Sequence, residues 1–368
     1  MKKSHKKQLF NILFVLILAG FTVWAVSDLD ISAVRSFFSV CNPWFIIGAL
    51  ICMVGYFLFE GISLHLIIRR FGGKPRFRDS ISYAAADVYY SNITPSATGG
   101  QPASAFYMMR DGIPGGIACF GLIFNLLAFA AALLVVGLVV LLTNIPLFLS
   151  YGVFPRVLIL VGLGFQVVLI GVFGACLLFP KMILKVGHFF IALLCKMHIF
   201  KNKEKWMGKI DGMVEKYSAS LECFKRHKTL ILPVLFFDIL QRASLIGISC
   251  FVCASITQFS FGGHVSIREI FCIQTFVVLG FNAVPLPGGS GAFEYMYLEA
   301  YSHIFSADMT KTTMLITRVI SYYLSLVVCA GITLLHHIRP PKPLSLDTAD
   351  GPCACACVAP DAADTDPQ

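Results

Sequence analysis

Two polar segments interrupt an otherwise apolar chain, and they repeat one another. The first reads Asn92-Ile93-Thr94-Pro95-Ser96-Ala97-Thr98-Gly99-Gly100, the second Asn282-Ala283-Val284-Pro285-Leu286-Pro287-Gly288-Gly289-Ser290-Gly291. Each is Asn-x-x-Pro followed closely by Gly-Gly. Proline removes a backbone donor and glycine permits positive φ, so neither segment fits inside a regular helix. In hydrocarbon, non-helical backbone survives only where protein or a water-filled cavity supplies hydrogen-bond partners. Paired breaks at corresponding places in two halves of a membrane protein point to a transport site.

The membrane setting follows from composition. Hydrophobic residues make up 57% of the chain, charged residues 13%, and the mean hydropathy is +0.78, whereas soluble domains carry about 25% charged residues. The net charge of +9 sits in basic clusters beside apolar runs, the pattern of positive-inside topology signals rather than of a nucleic-acid surface. Most of the 13 cysteines lie singly in apolar segments, where a reduced thiol packs as a small hydrophobe. Cys250 and Cys253 form a C-x-x-C without a second pair or a nearby His, so packing is expected rather than metal binding. No nucleotide-binding motif and no metal-ligand spacing occur, and neither a cofactor nor a metal is expected.

Six spanning helices are predicted at about 8–26, 43–68, 114–143, 156–179, 229–256 and 309–338, each long enough for a hydrocarbon core of about 30 Å. The first follows Lys2, Lys3, Lys6 and Lys7. Its apolar run exceeds a usual signal-peptide core, so a retained anchor with a cytoplasmic N-terminus is expected. The second span returns to Arg69, Arg70, Lys74, Arg76 and Arg78, and the fourth to Lys181 and Lys185, which places both ends inside. Residues 1–180 then form the first membrane repeat plus the following helix, and 229–338 form the second membrane half. Between them, 181–228 is a basic cytoplasmic linker with Trp206, Met207, Ile210, Met213, Val214 and Tyr217 at helical spacing. It reads either as an amphipathic helix drawn to anionic headgroups or as a solvated loop. The Pro/Ala/Asp-rich tail 339–368, with Cys353, Cys355 and Cys357, is expected to be disordered.

Topology decides what the breaks are. With the first three spans running in, out and in, residues 79–110 begin and end in the cytoplasm, and the same count puts 266–303 outside. Full crossing by the apolar run Ile270–Gly289 would carry Arg339 and Lys342 outside and the Glu294-Glu299-Asp308 loop inside, against the positive-inside rule. The expected fold is therefore an all-α polytopic membrane protein with two re-entrant hairpins, arranged as an inverted-topology repeat.

Ionisable groups within such a fold are costly in hydrocarbon and usually face a cavity or a partner. Asp87 leads into the first hairpin, Arg110 and Asp111 leave it, and Glu294 follows the second Gly-Gly. Asp238 and Arg242 lie four apart, share a helix face and can pair. Glu60 and Arg318 lie inside spans. For each, a structural ion pair within the bundle competes with a transport role, above all Glu294 with Arg318 or Arg242. Asn92, Thr94, Gln101 and Asn282, with the backbone around Gly99, Gly100, Pro285, Gly288 and Gly289, could coordinate a phosphate at helix N-termini.

The runs Asn92–Pro102, Arg110-Asp111-Gly112-Ile113 and Pro285–Glu294 resemble the transmembrane region of bacterial lysylphosphatidylglycerol synthases, over about residues 5–338. In the two-part members, the multiple peptide resistance factors, this region is a lipid flippase, and a separate cytosolic domain transfers lysine from lysyl-tRNA to phosphatidylglycerol. The resemblance implies a flippase for an anionic or aminoacylated phospholipid in the bacterial plasma membrane and a link to cationic-peptide resistance. After Arg339 only a short polar tail remains, so transferase activity, and with it a tRNA partner, is not expected of this chain alone. The alternatives are a phosphatidylglycerol lysyltransferase and a non-catalytic subunit anchoring a separately encoded synthase or transferase. On the flippase reading, Arg110, Arg242 and Arg318 hold phosphate, and Asp87, Asp238 and Glu294 meet a cationic headgroup or carry a coupling proton.

Opposed hairpins make a direct topological prediction. In a cysteine-free background, a cysteine at position 96 is expected to be labelled from the cytoplasm and one at position 290 from outside. Labelling of both from one side rejects the inverted repeat.

Overall fold

The computed structural model describes residues 41–94, 97–179, 228–257, 266–282 and 291–340, with the isolated positions 208, 212, 217, 218, 220–222, 224, 225, 284 and 286–289. Regular structure among the described residues is entirely helical: α1 (Pro43–Arg70), α2 (Phe77–Ile93), α3 (Gly100–Arg110), α4 (Gly115–Thr143), α5 (Ile145–Ser150) and α6 (Val153–Leu178), then α7 (Ile231–Thr257), α8 (Ile267–Asn282), α9 (Ala292–Tyr301), α10 (Ala307–Arg318) and α11 (Ser325–Ile338). A π turn, Val319–Leu324, joins α10 to α11 without a break.

Five stretches are long and apolar enough to cross a membrane: Pro43–Arg70, Gly115–Thr143, Val153–Leu178, Lys228–Ile256 and Ala307–Ile338. They coincide, within a few residues, with the second to sixth spans expected from sequence. The first, at 8–26, lies outside the described residues, as do most of the 181–228 linker and positions 341–368 of the tail. α8 has 16 residues and rises about 24 Å, short of the roughly 30 Å needed to cross. α2, α3 and α9 are not among the candidate spans either.

Local chemistry sets the helix ends. Asn42 caps α1 by accepting the Trp44 N–H at 3.1 Å, with Pro43 in the first turn, where its missing donor costs nothing. After Arg69 and Arg70 the chain leaves α1 through Gly72 at φ 90, the left-handed conformation that ends many helices. Asp79 reaches back to the Arg76 N–H at 3.2 Å and opens α2 as one half of a capping box.

Among the described helices α1 and α7 make the most extensive contact, and α4 packs on both α6 and α7. α2 and α3 fold back on one another around the first break: the Tyr83 hydroxyl donates to Asp111 at 2.7 Å, and Gln101 Nε2 donates to Asp87 at 2.6 Å nearer the break. α8 and α9 do the same around the second, with Tyr301 donating to Gln274 at 3.1 Å and the Phe281 and Phe293 rings 5.6 Å apart at the tip. The end of α3 meets the end of α11 through Asp111 and His336, 3.1 Å apart. The end of α9 meets the α5–α6 connection, where the rings of Tyr151 and His303 lie 5.8 Å apart. α1 begins beside the end of α7, joined by Asn42 N–H donating to the Ser255 carbonyl at 2.9 Å.

Apolar side chains such as Leu138, Val139 and Leu142 on α4 and Val161, Val167 and Val168 on α6 remain exposed, which suits a lipid-facing surface. Tyr217 and Phe224 of the linker instead pack on Phe120 and Phe124, and the Tyr217 hydroxyl donates to the Cys176 carbonyl at 2.9 Å. The Tyr217 side chain therefore faces protein. Cys250 and Cys253 are buried, the latter 3.7 Å from the Tyr297 hydroxyl.

The α6–α8 contact depends on one missing side chain. A Cβ at Gly162 would lie 2.0 Å from the Leu279 carbonyl oxygen, whereas Gly164 and Gly171 face open space. Gly162→Ala is expected to destabilise the protein by roughly 1–3 kcal/mol, because the obstacle is backbone and cannot rotate away. Gly164→Ala and Gly171→Ala should stay within about 0.5 kcal/mol of the parent. Thermal unfolding in detergent, comparing the three, checks this.

Candidate functional site

The polar residues of the spans converge. The midpoints of the five spans fall at Tyr56, Phe129, Gln166, Arg242 and Tyr322, and all five line one cavity of about 1030 Å³. Helices centred on a bilayer would put this cavity at its midplane. Its polar lining adds Glu60, Asp87, Asn92, Gln101, Asn125, Gln274, Asn282 and Arg318. An apolar wall is formed by Phe129 of α4 with Phe165, Leu169 and Phe173 of α6.

Both breaks reach the cavity, and the last span ties them together. The Tyr322 hydroxyl donates to the Asn92 carbonyl at 3.3 Å, at the end of α2. Arg318 Nη1 donates to the Gly288 carbonyl at 2.8 Å, its Nε lies 2.9 Å from Glu294 Oε1, and its guanidinium is flanked by Phe293 and Tyr322 at 4.8 and 4.7 Å. Gly288 has φ 56, and a Cβ there would lie 2.2 Å from the Tyr322 ring. Conformation and space both demand glycine.

The first break is built differently from the sequence expectation. Gly99 has φ −82, and the positive φ falls on Ala97 at 53. The glycines serve close approach instead. A Cβ at Gly100 would lie 1.9 Å from Asp87 Oδ1 and 2.1 Å from Ser91 Oγ, so α3 can start against α2 only without a side chain. Thr94 closes the loop by donating to the Tyr90 carbonyl at 2.7 Å and accepting the Gly99 N–H at 2.9 Å.

Among the candidate residues, Asp87, Asn92, Gln101, Arg242, Asn282, Gly288, Gly289 and Arg318 line the cavity. Asp87 accepts from Gln101 at 2.6 Å and Ser91 at 3.2 Å, and Glu60 accepts from Gln241 at 3.0 Å. Thr94, Gly99 and Gly100 support the tip from behind. Glu294 holds Arg318 while accepting the Gly291 N–H at the start of α9. Pro285 lies outside the described residues.

Two expectations change. Asp238 and Arg242 form no ion pair within 4.0 Å. A four-residue spacing puts both on one face of α7, but Arg242 extends over the Phe129 ring, 3.2 Å from its centroid, while both Asp238 carboxylate oxygens are buried without a hydrogen bond. Arg110 is absent from the cavity wall. It caps the last helix instead, donating to the His337 carbonyl at 2.6 Å and to the Arg339 carbonyl, a usual role for arginine at helix C-termini.

The cavity also uses residues that the motifs did not indicate: Tyr56, Asn125, Gln166, Gln274 and Tyr322. A signal existed in Asn125 and Gln166, lone amides deep in long apolar spans. Gln101 Oε1, Asn125 Oδ1 and Arg242 Nε are buried without a hydrogen-bond partner, and buried polar atoms are ordinarily paired. The arrangement offers two arginines, two carboxylates and several amides beside an apolar wall, which suits an amphiphile with a charged polar end.

No curated protein matches the chain. The family model described as Lysylphosphatidylglycerol synthase TM region matches residues 11–329. A match over nearly the whole chain joins the paired breaks and apolar spans in one conclusion: this multi-pass membrane protein belongs to the lysylphosphatidylglycerol synthase TM region family.

Proposed function

We propose that the protein is a lipid translocase of the plasma membrane that moves an anionic or aminoacylated phospholipid of the lysylphosphatidylglycerol type. The observation that carries the reading is the cavity at the midpoints of five spans, where both broken hairpins meet. In this reading the hairpins are re-entrant and related as an inverted-topology repeat. The contact of α3 with α11 at one end and of α9 with the α5–α6 connection at the other supports opposite openings. The end bearing Arg69, Arg70, Arg76, Arg78 and Arg339 then faces the cytoplasm by the positive-inside rule.

Arg242 is the phosphate ligand in this mechanism: it lines the cavity, and a guanidinium can grip phosphate with two parallel hydrogen bonds. Glu60 and Asp87 meet the amine of an aminoacylated headgroup. The acyl chains leave past Phe165, Leu169 and Phe173 and stay in lipid. Arg318 already serves Glu294 and the Gly288 carbonyl, so it holds the second tip in place rather than the substrate. Rocking of one repeat against the other changes the side to which the cavity opens.

Two substitutions separate transport from folding. Arg242→Gln is expected to slow lipid movement in reconstituted vesicles at least tenfold with a smaller loss of thermal stability than Glu294→Gln. Glu294→Gln strands a buried arginine and is expected to cost roughly 1–3 kcal/mol, discounted because Glu294 is one-third exposed. A fully active Arg242→Gln protein removes Arg242 from the site. In cells, loss of the protein should change the leaflet in which the lipid resides and leave its amount intact; disappearance of the lipid would favour a transferase.

A further inference from the structure

A second cluster lies at the far end of α11, away from the cavity. His336 of α11, Asp79 in the first turn of α2 and Asp111 just after α3 each turn a ligating atom to one point, all within 4.8 Å of one another. The three side chains are buried: residue exposure is 4% for His336 and 3% for Asp79, and the Asp111 side chain is 7% exposed. Both ring nitrogens of His336 lack a hydrogen bond, although Nε2 is only 3.1 Å from Asp111 Oδ2. Nitrogen and oxygen thus approach closely without the alignment of a hydrogen bond.

We propose that Asp79, Asp111 and His336 form a divalent-metal site that fastens the first helical hairpin to the last span. Zinc binds imidazole nitrogen and carboxylate oxygen at about 2.0–2.2 Å, so two ligands on one tetrahedral ion lie about 3.3–3.5 Å apart, close to the His336–Asp111 separation. One imidazole and two carboxylates, without thiolate, suit Zn²⁺ or Mn²⁺ rather than Cu⁺. The outer shell is present. The Tyr83 hydroxyl donates to Asp111 at 2.7 Å, the Arg76 N–H donates to Asp79 at 3.2 Å, and the Tyr83 and Tyr107 rings stand edge-on to His336 at 5.8 and 5.5 Å. Such neighbours orient metal ligands. The site draws on three separate elements, so no sequence spacing betrays it. Beside the Arg110 clamp on the last turn, a bound ion would pin the base of α2 and α3 to α11. The inference is independent of the lipid reading, and its test involves no lipid.

The test uses the full chain with Cys353, Cys355 and Cys357 changed to Ser, because thiolates in the tail would themselves bind zinc. After chelator treatment, titration with ZnCl₂ is expected to give one site per chain, a raised thermal midpoint and an X-ray absorption spectrum with a nitrogen/oxygen shell and no sulfur. Asp111→Asn and Asp79→Asn should each weaken zinc binding at least tenfold while keeping the parent's gel-filtration profile. If either variant misfolds, the absorption spectrum of the parent still reads the ligand set. Absence of Zn²⁺ and Mn²⁺ binding to the folded, chelated protein overturns the proposal, as does a sulfur shell or zinc binding unchanged in both variants. The cluster is then a simple His–Asp ion pair.

Discussion

A chain that leaves its helix between packed helices must satisfy the freed backbone from within the protein, and the rest of this structure is arranged around that need. Each break has a backbone carbonyl paired by a side chain, that of Asn92 at the start of the first and that of Gly288 within the second. The last span supplies both partners from neighbouring positions, Tyr322 for Asn92 and Arg318 for Gly288. An unpaired polar group in hydrocarbon costs several kcal/mol, so these two bonds hold the hairpin tips together. The π turn at Val319–Leu324 matters here because an extra residue in the turn re-aims the side chains around it. Arg318 and Tyr322 can thus address two tips from one helix.

The cavity follows from the same geometry. Both breaks reach the space between the spans, and the side chains of the surrounding spans line the gap. Arg242, Glu60, Asn125 and Gln166 approach it from α7, α1, α4 and α6. Each would be expensive facing lipid. Their meeting at one depth explains how long apolar helices tolerate them.

Much of this was legible in the sequence, for reasons that are physical rather than statistical. The five described spans stand out because length and apolarity are properties of each segment alone. The breaks stand out because proline and glycine act on their own backbone. Side-chain partnerships are different, since they depend on rotamers and on neighbours distant in sequence. Spacing placed Asp238 and Arg242 on one face, yet Arg242 turns to Phe129. Arg110 read as a charge leaving a hairpin, whereas its partners are carbonyls more than 200 residues away. The Glu294–Arg318 pair was one of the structural alternatives and is present at 2.9 Å. Ala97, with its positive φ beside two glycines that do not need it, was invisible to composition, because Gly99 and Gly100 are required by what lies against them.

The two cavity arginines differ in what their removal would disturb. Arg318 carries an ion pair, a backbone carbonyl and two flanking rings, and a charge so committed cannot take a ligand without loosening the second tip. Arg242 is as deeply buried, but its contacts are an aromatic face and electrostatic neighbours at a distance, and its Nε has no hydrogen-bond partner. A buried guanidinium keeps its charge under any physiological condition, so an incompletely satisfied one is stabilised by whatever anion enters beside it. In the proposed mechanism an anionic headgroup therefore binds at Arg242, while Arg318 sets the shape of the cavity that the headgroup enters. This proposed division of labour rests on contacts: Arg318 has two partners in the second tip, whereas Arg242 lines the cavity over the Phe129 ring with its Nε unpaired.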